Sequence, residues 1–266
     1  MNHIKKTFLA LFVLIPILSF AQEKDLVVAK AYYKFTHIRD TINLSRTVED
    51  NMLLLLGKTS TAYKSYTKMA HDSIMLANME KMKKTQISSP GQSGTGTQIY
   101  VYQKQKKAFQ LDPLIKDYYY EIKYPVIKWS IKSDTTTISG LKCQKATGTW
   151  GGRIYDAWFC PDLPFNAGPW KLRGLPGLIV AASDRKKQVV FEFTGFTKSD
   201  KKDAYIEPPV GYIATNEKQY NKMHEAFLND PIAYMKSVMP EIKSIVPPSK
   251  YVRKPPINNP MELPEK

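Results

Sequence analysis

The dipeptide Gly151-Gly152 constrains this chain more than any other feature. It sits between two runs of strand-forming residues, Leu141 to Trp150 and Arg153 to Cys160. Two-residue hairpin turns of types I′ and II′ need positive φ, where glycine is unstrained. A tight antiparallel hairpin follows, and with it a register in which each residue faces its mirror image across the turn. Ala146, Gly148 and Trp150 then share one side with Tyr155, Ala157 and Phe159, a largely apolar surface. Lys145, Thr147 and Thr149 lie across from Trp158, Asp156 and Ile154 on the other. The apolar side is either ordinary core or the lining of a cavity for a hydrophobic ligand, and the pattern suits both.

The same mirror sets Cys143 opposite Cys160, the two cysteines of the chain. If Trp150 and Arg153 form a hydrogen-bonded pair, alternation makes the cysteines a non-hydrogen-bonded pair, with Cα atoms about 4.5 Å apart, within disulfide range. In an oxidising compartment they are expected to bond; two unpaired buried thiols are the other reading. Closing a loop of about 18 residues would add roughly 3 kcal/mol at most. The spacing is far from Cys-x-x-Cys, so the expected role is stabilising and not redox catalysis.

Oxidation needs export, and the chain opens with the features of a signal peptide. Lys5 and Lys6 make a basic start, Thr7 to Phe20 form an apolar run, and Ala21 precedes polar Gln22-Glu23-Lys24-Asp25. The run contains Pro16 and is short for a membrane span, although a retained anchor helix is the alternative. No cysteine follows Ala21 to carry a lipid. The expected organisation is a signal peptide over 1–21, one β-rich domain over 22–246 and a proline-rich extended tail over 247–266. The product would be soluble in the periplasm or outside the cell. Pro247, Pro248, Pro255, Pro256 and Pro260 remove donors and block helix, which predicts a poorly packed tail. Ser88 to Gly96 reads as a flexible loop inside the domain.

Elsewhere the patterning is mostly that of strands. Leu26 to Ile38 alternates Tyr32, Lys34 and Thr36 against Tyr33, Phe35 and His37. Asn51 to Leu56 and Thr59 to Tyr66 suggest a hairpin around Gly57-Lys58; Gln98 to Gln103, Tyr118 to Lys123, Ile127 to Ile131, Leu178 to Ala182 and Gln188 to Phe193 read as further strands. Ser65 to Lys84 is predicted helical, as is Asn216 to Leu228. Asp230-Pro231 pairs an N-cap with a first-turn proline and opens a helix to about Met239. The predicted class is α+β and β-dominated: an antiparallel curved sheet or half-barrel, its open side covered by the long helix and the C-terminal helices.

The formal net charge is +15. The clusters are short, such as Lys104-Gln105-Lys106-Lys107 and Arg185-Lys186-Lys187, and nucleic-acid motifs are absent. Either an anionic envelope surface, giving peripheral membrane contact, or simple solvation accounts for the charge. No catalytic, metal or cofactor set is legible. His37, His71 and His224 lack His-x-x-x-His spacing, and Gly91-Gln92-Ser93-Gly94 has its second glycine one residue too early for a nucleophile elbow. Asp156, Asp162, Glu192 and Glu207 have no sequence relation that makes an acid pair.

Gly174-Leu175-Pro176-Gly177-Leu178-Ile179, preceded by Gly168-Pro169-Trp170, spells a hexapeptide in which Pro176-Gly177 suits a type II turn. On this motif the chain resembles the GLPGLI family of exported Bacteroidetes proteins. Ile138 to Ala146, Gly152-Arg153 with Ala157-Trp158, Asp162-Leu163-Pro164 and the ending Asn258-Asn259-Pro260-Met261-Glu262-Leu263 are also similar to that family. The resemblance implies an exported protein and carries over no catalytic residues. As fold analogy, the element order is similar to the half-barrel of periplasmic lipoprotein carriers, with a hollow here lined by Tyr33, Phe35, Trp150, Tyr155 and Phe159. The expected function is a binding module for a hydrophobic or lipid-like ligand. The alternatives are an accessory protein docking on an envelope or secreted partner and, ranked last, a hydrolase.

Overall fold

The computed structural model describes residues 24–82, 94–199, 204–240 and 257–264, so the expected signal peptide lies outside the described residues. Strands β1 to β7 are Asp25–Leu26, Ala29–Ile38, Thr47–Leu56, Ser60–Ser65, Gln98–Tyr102, Lys107–Pro113 and Asp117–Ile122. Strands β8 to β14 are Ser130–Ile138, Leu141–Trp150, Arg153–Cys160, Leu178–Asp184, Val189–Lys198, Tyr205–Ile206 and Ile213–Ala214. Helices α1 to α3 are Tyr66–Met82, Glu217–Asn229 and Pro231–Val238.

One sheet holds twelve of these strands, in the order β14-β7-β6-β5-β4-β3-β2-β12-β11-β10-β9-β8, and is curved without closing into a barrel. It consists of two sequential meanders, β2 to β7 and β8 to β12, joined where β12 pairs antiparallel with β2. After β7 the chain must restart at β8, on the far edge. The connection, residues 123–129, reaches at most roughly 30 Å when extended. In a flat sheet the ten spacings between β7 and β8 would measure roughly 48 Å. The sheet therefore has to curl for this short link to join its two sides.

The larger core gathers residues from both meanders, including Tyr33, Leu54, Ile99, Tyr120, Ala146, Tyr155 and Phe191, which places it on the inside of the curl. The β10–β11 connection fills that interior with Leu172 and Leu175, each 1% exposed. On the opposite face, Leu53, Leu55, Tyr100, Leu111 and Tyr119 pack with Val27 and Ile206, next to the small β1–β13 ribbon.

The hairpin register holds. Arg153 pairs with Trp150 and each successive residue with its mirror image as far as Phe159 opposite Gln144. Gly151 and Gly152 take φ of 52° and 69°. The face assignment holds too: Ala146, Tyr155, Ala157 and Phe159 are at most 1% exposed, whereas Ile154 is 39% exposed. The Asp230 cap is also as expected, accepting from the Ala233 N–H at 2.9 Å; Asn216, expected inside its helix, instead caps α2 by accepting from the Gln219 N–H at 2.9 Å.

Three expectations need correction. The strand predicted over Ile127 to Ile131 lies at Ser130–Ile138, an edge strand with eight of its nine residues exposed, and so without polarity alternation. β6 was not anticipated, because its inward Asp112 interrupts the apolar pattern; Thr97, Gln110 and Tyr120 donate to that buried carboxylate. Helix α1 forms and packs near β3, yet Ile74 and Leu76 are 52% and 63% exposed, so it is a poorer cover for the sheet than expected. No helix among the described residues is long and apolar enough to cross a membrane.

Candidate functional site

A cleft of about 710 Å³ opens beside β2, β3 and β4. β2 contributes Phe35 and His37, β3 contributes Val48, Glu49 and Met52, and β4 contributes Tyr63; Arg39, just past β2, lies on the rim. The far wall is formed by residues 94–97 with Trp170 and Met261.

That wall is fastened by two buried carboxylates. Thr95 donates to Asp50 Oδ2 from its N–H at 2.6 Å and from its hydroxyl at 2.8 Å, and Ser65 donates to Oδ1. Thr97 donates to Asp112 at 2.6 Å. A Cβ on Gly96 would fall 2.1 Å from Pro113 Cγ, so glycine is needed for this approach. The described end of the Ser88 to Gly96 segment is thus held in place; Ser88 to Ser93 lie outside the described residues.

The tail forms one edge of the site, which the count of prolines did not anticipate. Arg153, 3% exposed, donates from Nη1 to Asp184 Oδ2 at 2.9 Å, from Nη2 to the Asn259 side chain and the Pro260 carbonyl, and from Nε to the Met261 carbonyl. Asp184 in turn accepts from the N–H groups of Gln188 and Val189. Glu262 takes Lys171 at 2.6 Å and the Trp170 indole at 3.2 Å. The Leu263 N–H closes on the Gly151 carbonyl, where a Cβ at Gly151 would meet the Glu262 side chain. Residues 257–264 form no helix or strand and are anchored by a cation that needs their carbonyls. The hairpin register held the clue, since Arg153 shares a face with Tyr155, Ala157 and Phe159, where an arginine must find acceptors.

The strap also sets the state of His37, which is 4% exposed. Its Nε2 lies 2.9 Å from the Asn259 carbonyl, an acceptor, so Nε2 carries the proton and Nδ1 the lone pair. Burial lowers its pKa from 6.5 to about 4, with Arg153 and Arg39 also disfavouring the cation, against the pull of the Asn259 carbonyl and Asp184. The unfolded chain then takes up a proton first as the pH falls. Stability is complete above about pH 6.5 and declines towards pH 4, by about 3 kcal/mol in all. Denaturant titrations across this range should show the slope, and His37→Gln should remove most of it.

Of the five residues expected to line a hollow, Phe35 lines the cleft. Tyr33, Tyr155 and Phe159 are each 1% exposed within the core, and Trp150 packs partly buried against it. The hollow expected around them is occupied by the chain's own β10–β11 connection. The hexapeptide belongs to that filling. Leu175, Leu178 and Ile179 are buried, Gly174 and Pro176 face solvent, and the Tyr33 hydroxyl donates to the Ile179 carbonyl at 2.8 Å. The turn is not type II: the Gly177 N–H donates to the Leu175 carbonyl across Pro176, while the Leu178 N–H goes to Leu163.

Cys143 and Cys160 are buried, unbonded thiols. The β9–β10 ladder stops one step short of them; Cys143 faces Thr136 of β8 and Cys160 faces Leu178 of β11. Burial raises the Cys143 pKa, and the neighbouring Cys160 adds to the shift. Among the expected bystanders, His224 stacks on Tyr220, Glu207 pairs with Lys24, and Asp156 accepts from Thr147 and sits 3.6 Å from Lys145. No group of three or more metal-ligating side chains occurs among the described residues.

Fold and cleft together define a curled, open β-sheet protein with a plugged interior and a lateral groove. Residues 152–181 match a family described as "Protein of unknown function (Porph_ging)". No curated protein matches the chain. Two solved structures, PNGF-II in the P21 and in the C2 space group, are similar at 12% and 13% identity with TM-scores of 0.49 and 0.48. Each likeness covers 74% of this chain and 32% of the other, so the chain spans about a third of the length of the structures it matches.

Proposed function

We propose that this chain is an exported, GLPGLI-type binding module that holds a hydrophobic or lipid-like ligand in the lateral cleft. One observation carries the reading: Phe35, Val48, Met52 and Met261 give the cleft an apolar side, and its volume of about 710 Å³ suits a small amphiphile. The basic start, the apolar run and Ala21 support export. The hexapeptide and the docked ending support the family assignment. Titration calorimetry with decanol tests the reading, and native mass spectrometry of gently purified protein looks for a co-purified lipid. Val48→Trp, which fills the cleft, should abolish decanol binding; a wild-type protein that binds no decanol and purifies empty would sink the proposal.

In the oxidising compartment that export supplies, Cys143 and Cys160, one step beyond the end of the β9–β10 ladder, would form a disulfide. Alkylation of exported protein, denatured without reductant, should leave both residues unmodified, and Cys143→Ser should lower stability by at most roughly 3 kcal/mol. Recovery of both thiols alkylated would exclude the bond.

A further inference from the structure

We infer that the cleft selects amphiphiles with an anionic head, a carboxylate or phosphate placed against Arg39 with its aliphatic chain along Phe35, Val48 and Met52; this rests on the binding reading above. The inference comes from how the charges at the mouth are paired. Asp40 is committed to Arg46 at 3.1 Å, to the Asn258 amide and to the N–H groups of Ile42 and Asn43. Asp50 is held by Ser65 and Thr95. Glu49, the carboxylate in the cleft lining, pairs with Lys34 at 3.3 Å. Arg39 lines the same cleft and has no carboxylate within ion-pair distance among the described residues.

Its surroundings add positive charge. Partial burial and repulsion from Arg46 both lower the Arg39 pKa, so a cation with no ion-pair partner among the described residues lies near a second cation, beside apolar surface. An oxyanion on Arg39 relieves that repulsion and can take two parallel N–H donors from the guanidinium. An uncharged head group relieves nothing, and a cationic one adds to the repulsion. The tail strap keeps the geometry in place, since the Asn259 N–H is bonded to the Arg39 carbonyl.

Calorimetric titration of the purified protein with decanoate, decyl phosphate and decanol at pH 8 tests the selection. An anionic ligand should bind about fivefold more tightly than decanol, as expected for a partly exposed ion pair. Arg39→Gln should erase that advantage, weakening the anions about fivefold more than it weakens decanol, while Arg39→Lys should restore part of it. The anion that loses more on Arg39→Gln identifies the head group. Equal binding of all three by the wild type, or an anion preference that survives Arg39→Gln, overturns the inference while leaving a hydrophobic cleft intact. Failure of all three to bind overturns both readings. Arg39 keeps much of its surface exposed and its side chain makes no hydrogen bond or ion pair among the described residues, so thermal melts of the variants should match the wild type and exclude misfolding as the cause.

Discussion

Arg153→Ala is expected to destabilise the protein by about 3–5 kcal/mol, because removing one partner of a buried ion pair strands the other charge. The stranded group is Asp184, 4% exposed, whose other oxygen keeps the N–H groups of Gln188 and Val189 but loses its cation. The variant also releases the Asn259 side chain and the carbonyls of Pro260 and Met261, so the strap should detach. Urea denaturation measures the loss, and limited proteolysis should cut residues 257–264 in the variant before the domain. Deleting residues 257–266 removes the acceptors instead of the donor, and combining it with Arg153→Ala should cost much less than the sum, since both act on one network. A loss under about 1 kcal/mol for Arg153→Ala would mean that the strap and the ion pair are not coupled to folding.

Gly177→Ala should cost about 2–4 kcal/mol through overpacking against rigid backbone. The added Cβ would lie 2.3 Å from the Cys160 carbonyl oxygen and 2.7 Å from its carbon, and main chain at a strand end cannot step aside as a side chain can. Gly140 is the control. It has a φ of +80° with nothing within 4 Å of a Cβ, so Gly140→Ala should cost only the conformational term, about 1 kcal/mol. Equal losses would show that dihedral preference, and not contact with Cys160, explains the glycine of the hexapeptide. Since Leu175, Leu178 and Ile179 are buried around it, the motif's role in this fold is to seat the β10–β11 connection inside the curl.

Much of the scaffold was legible because its determinants are local. Gly151-Gly152 set a register that holds from Trp150 to Gln144, and Asp230-Pro231 marked the start of α3 as the structure has it. Alternation along β2 placed Tyr33, Phe35 and His37 on one face, and all three are buried. Where charge sat on the inner face the pattern misled. Asp112 hid β6, and Pro255, Pro256 and Pro260 suggested a loose tail although Arg153 had already created a need for carbonyl acceptors that the tail meets. The cleft itself was only partly visible: Phe35 was named for a hollow, but Arg39, Glu49, Thr95 and Trp170 come from separate segments and share no sequence periodicity.

The amino-acid sequence alone determined the β-dominated class, the central hairpin and its register, and the helix boundaries, because turns, caps and alternation depend on residues a few positions apart. Tertiary structure decided that the interior is plugged by the β10–β11 connection, that the tail is bound, and that the open groove lies beside His37 and Arg39. Those outcomes depend on pairs such as Arg153 with Asn259 and Tyr33 with Ile179, more than a hundred residues apart. The curl brings these segments together, and the requirement that each buried polar group find a partner then selects the arrangement.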